Sequence, residues 1–238
     1  MLRTAMKMVA AALAAGAVLT ACGPVRMGAA AVTASQRISA STLAGQVANL
    51  NQGYQRYKGK IALQFPVSQM PQQVLGWMIK FQVRDALAAD RGIRVSPAQV
   101  QHALAAITSQ AQSSQARSSP SSPGGTASLV QVAVANGLPP DLLNALARYE
   151  AIQTVQVGRL DGGKLPKSSS ALQALGVQFN KAECEAAKKL DIRINPQFGR
   201  LDYAQYSIIA APTTLSVAGQ SPSPLASPSA SPQLTPAC

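Results

Sequence analysis

The chain has 238 residues, of which 47% are hydrophobic but only 4% aromatic. Alanine supplies much of the apolar fraction, so the core is expected to be built from small and aliphatic side chains, a composition that leans toward an all-α fold. Lys plus Arg number 21 against 9 Asp plus Glu, giving a formal charge of +12, with one His and three Cys. A Ser–His–Asp triad has only His102 to use, and a His/Cys zinc site needs almost every candidate ligand in the chain.

The N-terminus reads as an export signal. Arg3 and Lys7 form a short basic region, and Met8 to Thr20 is an apolar run too short to span a bilayer comfortably. The run ends Leu19-Thr20-Ala21-Cys22, which resembles the bacterial lipobox. The small Ala21 suits peptidase access, and the Cys22 thiol is the group that takes the diacylglycerol. Residues 1–21 are therefore expected to be a lipoprotein signal peptide, and 22–28 a lipidated linker. Loss of the leader removes Arg3 and Lys7 and leaves a charge of +10. Anchoring then rests on acyl chains, each worth about 0.8 kcal/mol per buried CH₂. The expected location is extracytoplasmic, on a membrane face, where positive charge favours anionic lipid or cell-wall polymer. Nucleic acid is a poor partner for an exported chain without aromatic–basic interleaving. In oxidising surroundings Cys184 and Cys238 either pair, stapling the tail to a helix, or stay as free thiols. Glu183 and Glu185 flank Cys184 and disfavour a catalytic thiolate there.

Along the chain, Ala30 to Thr33 reads as a short strand. Ser39 is placed to cap a helix from about Ala40 to Tyr57, with Leu43, Val47 and Leu50 on one face. Arg56, Lys58 and Lys60 follow as a basic run, the usual form of a solvated face. Pro71 opens the strongest helix, to about Asp90, apolar on most sides apart from a polar strip through Gln73, Lys80 and Arg84. Such a helix is expected to be central. Gly92 ends it, and Ser96-Pro97 starts the next. Residues 112–126, rich in Ser, Pro and Gly, read as a flexible loop. Leu129 to Ala135 resumes helix and Gly137 closes it. Pro139-Pro140-Asp141 opens another, with Leu142, Leu146, Tyr149, Ile152 and Val155 as its stripe. Asp161-Gly162-Gly163 breaks it, and a last helix is expected from about Ser169 to Leu190. Asp191 to Pro196 alternates like a strand. Two isolated strands each need a partner, so residues near 30–33 are expected to pair with residues near 191–194, a small two-stranded sheet joining the two ends of the domain. The domain is taken as 29–210. The tail 211–238, with its recurring Ser-Pro, reads as disordered and extended.

The order of these pieces resembles the N-terminal chaperone domain of the SurA, PrsA and trigger factor group. Three stretches carry the resemblance. The first is the apolar helix with VLGWMIKFQVRDALA, the break DRGIRVSP and the helix from Ser96, in which Gly92, Val95, Ser96 and Val100 take the family's places. The second is ANGLPPDLLNALARYEAIQ at 135–153. The third is IRINPQFGRLD at 192–202, similar to the family's V-N-P-R-Y-G-x-W-D signature, departing at Gln197, Phe198 and Leu201. The resemblance covers roughly residues 30 to 205. It implies a mainly α, SurA-N-like domain closed by a small sheet, and binding of unfolded or partly folded exported proteins. It does not imply peptidyl-prolyl isomerase activity, because only the short 158–168 stretch lies where a parvulin domain would insert. No cofactor and no metal are implied.

A chaperone of this type needs adaptable apolar surface rather than a catalytic constellation. The candidates are Phe65, Met70, Trp77, Met78 and Phe81; for Trp77, Met78 and Phe81 the competing reading is ordinary core. The function expected is that of a membrane-anchored, ATP-independent chaperone. The alternative is a non-catalytic lipoprotein adaptor that holds one dedicated cell-envelope partner. An enzyme is disfavoured: Asp85 and Asp90 do not face each other on their helix, and Asp161 to Lys164 lacks the strand and Ser/Thr of a phosphate loop.

Overall fold

The computed structural model describes residues 28–34, 36–118, 128–160, 168–203 and 207–209. The signal peptide, Cys22, most of the 112–126 loop, Asp161 to Gly163 and the tail with Cys238 lie outside the described residues. The fold is mainly helical, with small antiparallel sheets.

Six α-helices occur among the described residues. Helix α1 (Ala40–Tyr57) starts where expected: the Ser39 hydroxyl accepts from the Thr42 N–H at 2.9 Å. Its buried face is Leu43, Leu50 and Gly53. Gly53 lets α1 lie close to its neighbour, since a Cβ there would sit 2.8 Å from Val134 Cγ2. Helix α2 (Met70–Asp90) has Pro71 in its first turn and is the central helix, contacting α1 and two later helices. Val74, Leu75, Ile79, Val83 and Leu87 are buried along it, each worth about 1.5–3 kcal/mol if fully removed from water. Gly92, at φ +58°, ends the turn after it.

Helix α3 (Pro97–Ser118) opens with a reciprocal cap. The Ser96 hydroxyl accepts from the Gln99 N–H at 3.3 Å, and the Gln99 side chain accepts from the Ser96 N–H at 2.8 Å. The helix runs on to Ser118, so the flexible loop does not begin at 112. Ala111, 7% exposed, is still packed, and Ser109 and Ser113 bond back to the Ala105 and Gln110 carbonyls at 3.1 and 3.0 Å. A serine that back-bonds in this way is tolerated in a helix.

Helix α4 (Leu129–Ala135) carries a capping box from Ser128 and Gln131, and Gly137 turns out of it at φ +77°. A 3₁₀ turn, Pro140–Leu142, leads into α5 (Leu143–Leu160), which packs on α2 and α3. Helix α6 (Ser169–Lys189) is capped by Ser168 and packs on α2.

Strands β1 (Ala29–Val32) and β3 (Arg193–Ile194) pair antiparallel, Ala31 opposite Ile194 and Val32 opposite Arg193. The two ends of the domain do meet as the lone-strand argument requires. The sheet is larger than two strands, however. Strand β2 (Arg37–Ser39) folds back on β1 to give the order β2-β1-β3. Its turn is closed by Thr33, whose N–H and hydroxyl both donate to the Gln36 carbonyl at 2.8 and 3.0 Å. Strand β3 is two residues long because Asp191 takes φ +45° and the Asn195 side chain turns the chain by accepting from Gln197 N–H. A second antiparallel pair, β4 (Arg200–Asp202) with β5 (Ser207–Ile209), follows, and β5 lies against α2.

Candidate functional site

The apolar candidates divide by where α2 places them. Met70 is 3% exposed and belongs to the core, so it offers no surface to a client. It is the first residue of α2, packed inward at the start of the helix. Met78 is half-buried and packs against the same core. Phe65, Trp77 and Phe81 are half-buried and form a series with a residue the sequence reading had placed in a buried stripe, Tyr149.

This series begins at the turn after α4. The Phe65 ring lies over Gly137, where a Cβ would come within 2.9 Å of Phe65 Cε1 and 3.0 Å of Gln73 Cβ. The Gln64 N–H donates to the Ala135 carbonyl at 2.9 Å and fixes that strap. The Trp77 indole N–H donates to the Asn136 carbonyl at 3.2 Å, so Phe65 and Trp77 flank one turn. From there the rings continue along α2. Trp77 and Phe81 have centroids 5.9 Å apart at 32°, and Phe81 meets Tyr149 of α5 at 5.9 Å and 66°. Both geometries are favourable for aromatic pairs. Lys80 Nζ stands 5.0 Å from the Trp77 ring centroid, a cation–π contact. Burial lowers the Lys80 pKa, an effect Glu183 partly opposes.

The strip ends on a buried cation. Arg84, placed by the sequence on a polar strip, is 1% exposed. Its guanidinium lies between the rings of Tyr149 and Phe179, at 3.5 and 4.2 Å from their centroids. Arg84 Nε donates to Glu183 Oε1 at 2.7 Å, and Nη1 donates to the Tyr149 carbonyl at 3.3 Å. Arg84 thus ties α2 to α5 and α6 in one place. Its partners lie 65 to 99 residues away in sequence, so no local pattern marked the site. The strip is therefore a partly exposed row of rings held rigidly at its base.

Tyr149 carries a titration signature. Burial, then the nearby Glu183 carboxylate, pushes its pKa from 10.0 up to about 12. The neutral phenol is favoured by the fold, so its contribution to stability is fully present below pH 10 and is lost as pH rises through about 12. Tyrosinate absorbance across an alkaline titration is expected to show a step near 12, and Tyr149→Phe is expected to remove it. Ionisation of all tyrosines together near 10 would contradict this environment.

The other candidates take ordinary positions. Arg56, Lys58 and Lys60 are exposed at the end of α1. His102 is exposed on α3, at the rim of a half-open groove of about 270 Å³ between α3 and α5 that Glu150 also lines. Asp85 pairs with Arg148 at 2.9 Å and Asp90 with Lys189 at 3.2 Å, both at the surface. Cys184 is 6% exposed and disulfide-bonded; the chain's other two cysteines, Cys22 and Cys238, lie outside the described residues. Val67, 54% exposed beside Phe65, is an apolar surface residue that sequence reasoning missed. No helix among the described residues is long and apolar enough to cross a membrane. Comparisons with protein-family models, curated proteins and solved structures find no match.

Proposed function

We propose that this chain is a lipid-anchored, extracytoplasmic, ATP-independent chaperone of the SurA-N-like kind, binding unfolded or partly folded exported proteins. The observation that carries the reading is the ring series Phe65, Trp77, Phe81 and Tyr149, half-buried on the central helix and its neighbours. Half-exposed rings offer large apolar area to a passing chain at small entropic cost. The β1–β3 pairing supports the family resemblance, since a helical body closed by a sheet is what that resemblance implies. Helix α5 ends at Leu160 and α6 starts at Ser169, which leaves no space for an inserted isomerase domain, so the function proposed is binding alone. With Cys22 lipidated, Cys238 is the thiol left for Cys184.

The test is suppression of aggregation by the unlipidated chain starting at Gly23, against two unrelated unfolding proteins. Suppression of both near stoichiometric ratios is expected. Val67→Glu, an exposed change, and Trp77→Ala are each expected to require about tenfold more protein, the equivalent of 1–2 kcal/mol of lost contact. No effect of the wild-type chain on either protein overturns the general chaperone.

One observation favours the adaptor reading instead. The adaptable methionines are withdrawn, Met70 into the core and Met78 against it, while the rings are fixed by Arg84, Asn136 and Gly137. A preorganised surface suits one dedicated partner. Co-purification of a single envelope protein, lost in Trp77→Ala, is the outcome expected on that reading.

A further inference from the structure

One end of the molecule gathers positive charge at the point where the chain enters from its anchor. The turn at Ala34 donates its N–H to the Leu190 carbonyl at 2.7 Å, next to Lys189, which reaches Asp90 at the end of α2. The Arg159 guanidinium joins this end by donating to the Arg91 and Gly92 carbonyls at 2.9 and 3.2 Å. Arg193 stands opposite Val32 on β3, and Arg37 stands opposite the same Val32 on β2, so both project from one face of the sheet. Residues 28–39, 90–95 and 188–203 with Arg159 carry eight basic side chains, all exposed, against the three carboxylates of Asp90, Asp191 and Asp202. Asp90 pairs with Lys189 and Asp191 with Arg193, and the eight cations outnumber the three carboxylates by five, so the end is strongly positive.

The tether sets what this end meets. Gly28, where the described chain begins, is six residues on from Cys22. Fully extended, that stretch spans about 20 Å at most. An acylated Cys22 therefore holds β1 close to the bilayer surface, where the field of anionic headgroups acts over roughly a Debye length of 8–10 Å. The basic run Arg56, Lys58 and Lys60 is at the opposite end, because α1 runs away from the sheet for 18 residues, about 27 Å.

We propose that the sheet end, together with the ends of α2 and α5, is a membrane-docking face for anionic phospholipid headgroups, orienting the domain on its anchor. The proposal rests on the lipid-anchored reading above and adds a second contact to it. A diacyl anchor on Cys22 holds the chain at the surface by itself, and the charged face sets how the domain is turned on it.

The experiment takes the mature chain with Cys22→Ser, so that no acyl group contributes, and measures co-sedimentation with vesicles of phosphatidylglycerol mixed into phosphatidylcholine. Binding to the mixed vesicles, none to pure phosphatidylcholine, and loss in high salt are expected. Arg94→Glu with Arg200→Glu, both exposed, is expected to lower binding by about thirtyfold or more. Arg56→Glu with Lys58→Glu, an equal charge change at the far end, is expected to leave it unchanged. Equal losses in the two double variants would show a net-charge effect and overturn the docking face, as would failure to bind the anionic vesicles. The mass of the N-terminal peptide of the membrane-extracted protein reads acylation of Cys22 separately. An acylated peptide with no vesicle binding leaves the anchor standing and removes the face; an unmodified Cys22 removes the anchor, whatever the vesicles show.

Discussion

Glu183→Ala is expected to destabilise the fold by about 3–5 kcal/mol, because it leaves a guanidinium buried without its counter-charge. The pair is deep: the Arg84 and Glu183 side chains are 1% and 10% exposed, with Nε and Oε1 2.7 Å apart. Removing the carboxylate leaves Arg84 with the Tyr149 carbonyl at 3.3 Å and the Gln153 amide oxygen at 3.4 Å, both long bonds. The two flanking rings keep their cation–π contacts but do not replace a charge partner. The double variant Arg84→Met with Glu183→Leu, which removes both charges, is expected to recover most of the loss. Urea unfolding followed through Trp77, the single tryptophan, measures all three. A loss below about 1 kcal/mol in Glu183→Ala would mean the pair is hydrated and does not lock α2 to α6. The same variant tests the ring strip, since Arg84 seats Tyr149 and Tyr149 meets Phe81. The late tyrosine step near 12 is expected to move down when the carboxylate is lost, because Glu183 is one of its causes.

The helices were legible because their ends are punctuated. Ser39, Pro71, Gly92, Ser96-Pro97 and Gly137 each mark a boundary that a cap or a positive φ realises in the structure. The centrality of α2 was legible from its apolar circumference. Strands β2, β4 and β5 were not, because three residues are too few for alternation to register, and each depends on a partner brought in by the fold. The reach of α3 to Ser118 was hidden by Ser and Gln composition, which signals loop unless the serines bond back to the preceding turn. Of the site, the α2 rings could be named from sequence, but not which of them reach solvent. Met70, offered as client-binding surface, is buried, whereas Arg84, assigned to a polar strip, is the most enclosed large side chain of the row. Both errors concern tertiary neighbours. Tyr149, Phe179 and Glu183 come from helices whose crossing with α2 no single-helix pattern encodes.

The two proposed surfaces are also separated in a useful sense. Phe65 and Trp77 sit at the turn that follows α4, near the first half of α2, whereas the cationic end gathers at Asp90 and Arg91, where α2 finishes. Trp77 and Asp90 are 13 residues apart on one helix, about 20 Å of rise. Docking through the sheet end would therefore leave the Phe65 and Trp77 end of the ring strip the farther from the bilayer.

Gly199→Ala is expected to be the most damaging single change in the IRINPQFGRLD stretch. Gly199 takes φ +116° and ψ −157°, a region essentially closed to other residues, at a cost of about 1–3 kcal/mol when one is forced there. Space adds to conformation. A Cβ at Gly199 would collide with the Ile209 carbonyl oxygen and lie 3.0 Å from Ile208 Cγ2, so the obstacle includes backbone rather than a side chain that swings away. The residue stands where the 3₁₀ turn Pro196–Phe198 feeds β4, and Arg200, its neighbour, pairs with Ile209. The glycine of the motif thus has a physical reason that the sequence pattern alone does not give: only without a Cβ does β5 close on β4. Substitution is expected to separate the two strands and strip amide-exchange protection from Ser207 to Ile209, with a loss of about 2–4 kcal/mol if the sheet unfolds with the domain. Because β5 lies against α2, the Leu201, Tyr203 and Ile208 side chains that cover the core would be released with it. Unchanged protection at these amides together with unchanged stability would show that the strand pair tolerates the side chain and that the motif glycine serves something other than this close approach. Protection lost only locally, with global stability kept, would place β4–β5 among the parts of the fold that open first.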